Sequence, residues 1–190
     1  MSTLPPVLEQ LTAAELALFQ KLAVEKHLEN VWEGLAVDPW KTVGMVPNAK
    51  QAAFTDALTD NQYLTLIYSG GARAGKSEAA DLGLLCFAAR FPKTQMLVGR
   101  YAYKDLNEMT FRQLGAMVGR AFGRNYTHIE QIEPDIGRWR AGQQKLEFSN
   151  KTQITFHHFK DAGGLGSTEY HRIYVEEPQE IPPQEALGPD

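Results

Sequence analysis

The chain has 190 residues, 43% hydrophobic and 22% charged, the composition of a globular protein with one core-bearing domain or a domain plus a small appendage. Its opening residues hold no basic n-region and no apolar block, and no run approaches the roughly 20 apolar residues that span a bilayer, so a cytoplasmic location is expected. One cysteine, Cys86, excludes an internal disulfide framework and a thiolate metal cluster. The net charge is −4, but it is unevenly spread. Residues 61–172 hold 15 basic against 10 acidic side chains, so the middle of the chain can present a basic face while both ends are acidic.

The first predicted element is an amphipathic helix over residues 7–30. Leu8, Leu11, Leu18, Leu22 and Val24 fall near helical spacing, and Thr12 opens a T-A-A-E capping box. A break is expected from Gly34 to Pro47, with Pro39 and Gly44 inside it, followed by a short helix from Asn48 to Leu58. Tyr63 to Tyr68 is aromatic, β-branched and apolar, which predicts a buried strand. Residues 76–90 predict a helix, 94–100 a strand, and 103–121 a helix with Leu106, Met109, Leu114, Met117 and Val118 inward. Residues 145–159 predict a hairpin turning near Asn150-Lys151, and Arg172 to Val175 a further buried strand. Alternation of strand and helix argues for a parallel α/β sheet.

Three stretches carry chemistry. Gly70-Gly71-Ala72-Arg73-Ala74-Gly75-Lys76-Ser77 completes the pattern G-x-x-x-x-G-K-S between an expected strand and an expected helix. A loop that wraps a polyphosphate needs glycine where a Cβ would block the backbone, and its successive N–H groups aim at phosphate oxygens with the help of the helix N-terminus. Lys76 then supplies charge for the β- and γ-phosphates, and Ser77 a hydroxyl for Mg²⁺. Glu176 and Glu177 follow the strand at Val175, at the end where α/β sheets bind ligands. The expected division is Glu176 in the Mg²⁺ shell and Glu177 polarising the attacking water. Upstream, Pro47 and Gln51 precede the aromatic Phe54; a glutamine amide can both donate to and accept from adenine, so Gln51 is a candidate for selecting ATP.

These pieces, in this order, resemble the N-terminal ATPase domain of the large subunit of tailed-phage terminases. The marks are P-x-x-x-Q before the strand, an arginine inside R-A-G-K-S, the stretch LEFSNKTQITFHHFKD and the ending V-E-E-P-Q-E-I. The resemblance implies an α/β P-loop NTPase fold with a mostly parallel central sheet flanked by helices. Residues 1–40 would be a helical N-terminal extension and 41–190 the ATPase domain. It implies ATP and Mg²⁺ as cofactors and an ATP-driven motor that moves double-stranded DNA into a procapsid. The implied partners are the portal protein, the small terminase subunit and further copies of the chain in a ring, with no membrane. Gln51 would bind adenine, Arg73 would contact the γ-phosphate, and Glu177 would activate water. Two departures are expected to matter: Glu176 stands where many such ATPases carry aspartate, and the chain stops at Asp190 without the coupling motif and nuclease of the family. It is therefore expected to be a fragment, a remnant or a short form.

Two rival readings share the residues. A helicase-like ATPase stimulated by nucleic acid uses the same loop and an upstream glutamine. An inactive assembly module would use the N-terminal helix as a docking surface. Arg100, Arg112, Arg120, Arg124, Arg138 and Arg140 are candidates for a trans-acting or DNA-facing role, with surface solvation the plainer expectation. His157 and His158 are adjacent on a strand and point to opposite faces, and Cys86 lies among apolar neighbours in the core.

Overall fold

A computed structural model describes residues 12–60, 65–69, 74–160 and 168–182. Helix α1 (Ala13–Val37) begins where the capping box places it: Thr12 accepts from the Glu15 N–H, and the Glu15 carboxylate accepts from the Thr12 N–H. It runs through Gly34, where a break was expected. A Cβ there would sit 2.7 Å from Thr42 Oγ1, so this glycine lets the next helix approach instead of ending the first. That helix is α2 (Pro39–Thr42). Val31 and Leu35 of α1 are buried in the main core, whereas Leu18, Phe19 and Leu22 are exposed. Leu8 and Leu11 lie outside the described residues.

Helix α3 (Ala49–Thr59) is capped by Asn48, and α4 (Lys76–Arg90) follows the glycine-rich loop. The two pack closely: a Cβ on Gly83 of α4 would meet Leu58 Cδ1 at 2.3 Å. Strand β1 (Gln95–Arg100) leads into α5 (Tyr103–Asp105), a wide π-turn at Leu106–Thr110, and α6 (Phe111–Phe122). Leu106, Leu114, Met117 and Val118 are buried as expected. Met109 is 44% exposed, because the π-turn inserts one residue and rotates what precedes it off the helical spacing.

Strands β2 (Gly137–Arg140), β3 (Lys145–Phe148), β4 (Gln153–His158) and β5 (Arg172–Val175) complete a five-stranded sheet in the order β2-β3-β4-β1-β5. This corrects the expectation of a mostly parallel P-loop NTPase sheet. β1 is parallel to β4 and β5, but β2–β3 and β3–β4 are antiparallel, so the sheet is mixed. The physical reason is connection length. β2, β3 and β4 are joined by links of only a few residues, which close antiparallel pairs; a parallel pair needs a long crossover. Of the run expected to form a buried strand, residues 65–69 form none, and Tyr63 and Leu64 lie outside the described residues. Among the described residues β5 stands at the edge of this sheet, and Ile173 is 60% exposed where a buried strand was expected.

The core is aromatic at its centre. Phe111 packs edge-on against Trp139 and Phe156, and Trp32 of α1 meets Phe122 and Phe148 in the same way. No helix among the described residues is long and apolar enough to cross a membrane.

Candidate functional site

The glycine-rich loop delivers its last residues to the start of α4 in a conformation that only glycine adopts readily. Gly75 has φ +70 and ψ 25 and occupies the cap position, with no side chain capping the helix. The first amides of α4 thus have no capping side chain, and an uncapped N-terminus is a ready anion site. Lys76 and Ser77 are the first two residues of that helix, and both line a cleft of about 860 Å³. β5 and the residues after it line the same cleft, including Tyr174, Glu176 and Glu177. So do Phe54, Leu58 and residues 65–69, with Phe54 stacked on Tyr68 at 4.4 Å.

Lys76, Ser77, Glu176 and Glu177 therefore share one cleft. Gly70, Gly71, Ala72 and Arg73 lie outside the described residues, and Ala74 is exposed beside Gly75. Gln51 sits behind the loop, 7% exposed. Its Nε2 donates to Gly75 O at 3.1 Å, and its Oε1 accepts from Asn48 N at 3.0 Å. Each end of the amide makes one bond within the protein, and these bonds fix its orientation.

Glu176 is 8% exposed and anchored through its backbone, whose N–H donates to Gly99 O at 2.9 Å. Its carboxylate accepts from Thr110 Oγ1 at 2.5 Å and faces Arg100 Nη1 at 3.6 Å. Arg100 also lies 3.8 Å from Glu180 and is 5% exposed, which overturns the expectation of a solvated arginine. Glu177 is half-buried and left-handed, with φ +50 and ψ 54. Its carboxylate accepts from the Gln179 side chain. A non-glycine residue in that region costs about 1–2 kcal/mol, so surrounding structure holds it there.

Asp81, one helical turn beyond Ser77, is a buried carboxyl within electrostatic reach of Glu176 that the sequence reading did not single out, although its i+4 spacing on α4 was visible. It is 4% exposed, and burial first, then the charges of Glu176 and Glu78, push its carboxyl well above the usual range. Tyr174 is pushed up for the same reasons, burial and then Glu176. Thr110 carried no signal in the sequence, since its place depends on the π-turn and on a partner far away in the chain. Of the other arginines, Arg124 pairs with Glu133 at 3.0 Å and Arg140 with Glu147 at 2.7 Å. Cys86 is buried, and its thiol is pushed up to about 11 by desolvation.

The donor set fits a magnesium-bound polyphosphate. Ser77 and Glu176 offer hard oxygen ligands of the kind Mg²⁺ takes, and the α4 N-terminus with Lys76 offers positive potential for phosphate. Comparison with known protein families, curated proteins and solved structures found no match to this chain.

Proposed function

We propose that the chain binds and hydrolyses ATP with Mg²⁺, and that it does so as the motor component of viral DNA packaging. One observation carries the ATPase reading: the uncapped start of α4, with Lys76 and Ser77, opens onto the same cleft as Glu176 and Glu177. The packaging role rests on the resemblance of the three sequence stretches to terminase large subunits.

In this reading Ser77 and Glu176 would hold the Mg²⁺, which would supply positive charge to the polyphosphate. The α4 amides and Lys76 bind the phosphate oxygens and oppose the charge that grows in the transition state. Arg73 adds to this at the γ-phosphate, as the resemblance implies. Glu177 accepts a hydrogen bond from the attacking water and orients it in line. An orienting group must be closely placed, since misplacement of a reacting atom by about 1 Å can cost about a hundredfold in rate.

The test is Glu177→Gln. The variant is expected to bind ATP with unchanged affinity and to lose turnover; hydrolysis at the wild-type rate removes Glu177 from the chemistry. Stimulation separates the motor from its helicase-like rival. A packaging motor responds to portal protein or small terminase subunit, a helicase-like ATPase to single-stranded nucleic acid alone.

A further inference from the structure

Glu176 is held from one side only. Both side-chain contacts fall on Oε2: the Thr110 hydroxyl at 2.5 Å and Arg100 Nη1 at 3.6 Å. A carboxylate has two oxygens with about four acceptor positions between them. With Oε2 engaged by Thr110 and Arg100, Oε1 is the oxygen that remains on a residue lining the cleft.

The two groups that hold Oε2 come from either end of one connection. Arg100 ends β1, and Thr110 ends the π-turn that leads into α6. In that turn the Phe111 N–H bonds back to Leu106 O, five residues away instead of the four of an α-helix. The added residue shifts the facing of its neighbours. Met109 is 44% exposed while its sulfur accepts from Arg100 Nη1 at 3.4 Å, and Thr110, 2% exposed, is turned onto Glu176. Arg100 is buried with an incomplete shell: its Nε lacks a hydrogen-bond acceptor and has only Glu180 at 3.8 Å. A desolvated guanidinium is retained only where its charge is answered, and the carboxylates of Glu176 and Glu180 answer it here.

We propose that Thr110 and Arg100 are positioning residues for the divalent cation: they pin Glu176 by Oε2, so that Oε1 is presented to the cation at a fixed place. The inference rests on the ATP–Mg²⁺ reading of the cleft.

Mn²⁺ is the probe, because its magnetic resonance signal separates free from bound ion. Wild type, Thr110→Val and Thr110→Ser are titrated with Mn²⁺ in the presence of a non-hydrolysable ATP analogue, and with the analogue in the absence of metal. Valine keeps the volume and loses the hydroxyl. It is expected to weaken Mn²⁺ binding about tenfold or more, the usual cost of losing a group that orients a metal ligand, while metal-free analogue binding is unchanged. Serine is expected to restore the affinity. Equal Mn²⁺ affinity in all three proteins overturns the proposal. A double-mutant cycle of Thr110→Val with Glu176→Gln, read by melting the metal-free protein, reports the tether itself. Coupling in the melts with no change in Mn²⁺ affinity makes the bond structural only and also overturns the positioning role. If the wild-type chain takes up no Mn²⁺ with the analogue, the ATP reading falls and the positioning role falls with it.

Discussion

Replacing Gly75 by alanine puts two separate demands on the fold, and their sizes follow from the structure. The first is backbone. At φ +70 an L-residue pays about 1–2 kcal/mol that glycine does not. The second is Gln51. A Cβ on residue 75 would lie 2.1 Å from Gln51 Nε2, so the amide must leave. It then loses its bond to Gly75 O, worth about 1 kcal/mol, and withdraws Oε1 from the Asn48 N–H at the start of α3, worth about another 1 kcal/mol. The sum is about 3–4 kcal/mol, a large share of the 5–15 kcal/mol that holds a domain together. In a Gln51→Ala background only the backbone demand remains, so Gly75→Ala should cost about 1–2 kcal/mol there. The assay is urea unfolding of the four proteins of the cycle, comparing midpoints at constant slope. Equal costs of Gly75→Ala in the two backgrounds would refute the strut between Gln51 and the loop. The cycle also bears on function. Loss of ATP binding in Gly75→Ala alone does not show a phosphate contact, because the loop has lost its brace as well.

Two further outcomes are expected. Asp81 has a native pKa above its unfolded one, so the native state binds more protons across that interval and stability falls as pH rises through it. Asp81→Asn removes the titration. Its stability relative to wild type should grow more favourable as pH rises above the ordinary carboxylate range, as read by denaturant melts; a gap that does not change with pH would show that Asp81 titrates in the fold as it does unfolded. Glu177→Gly relieves a left-handed glutamate and should raise stability by about 1 kcal/mol in the same assay while abolishing ATP turnover, and a destabilised variant would show that the Glu177 contact with Gln179 outweighs its backbone cost.

The elements that were legible in the sequence are those set by local signals. α4 begins at Lys76 and ends at Arg90, and β5 spans Arg172 to Val175, both as read from residue type and periodicity alone. The Thr12 capping box formed as written, and Asn48 caps α3. Lys76, Ser77, Glu176 and Glu177, which line one cleft, stood out for the same reason, since G-K-S and two glutamates after an apolar strand are short-range patterns. What was not legible depends on partners far along the chain. Strand direction is a pairing property, so Lys145–Phe148 and Gln153–His158 read as a hairpin without revealing that the hairpin and β2 would make the sheet mixed. Gly34 looks like a break and is instead a contact point for Thr42. Met109 fits the inward helical spacing and is turned out by one extra residue in the π-turn. Arg100 has the composition of a surface residue, and only its pairing with Glu176 and Glu180 explains its burial.

The mixed sheet does not disturb the site, because the site depends on the parallel part of the sheet alone. β1 runs parallel to both β4 and β5, so the C-terminal ends of these three strands share one edge of the sheet. The register Gly99↔Val175 brings Arg100 and Glu176 to that edge together, and the Glu176 N–H to Gly99 O bond closes the last rung. A slip of β5 by two residues keeps every side chain on its face, so hydrophobic patterning alone does not forbid it. It would carry Glu176 about 7 Å along the strand, at 3.3 Å per residue, and leave a buried guanidinium without its carboxylate. Breaking a buried pair in that way costs about 3–5 kcal/mol. The Arg100–Glu176 pair therefore discriminates between registers that patterning does not separate. The contact that fixes the proposed metal-binding carboxylate is also the contact that fixes where β5 pairs.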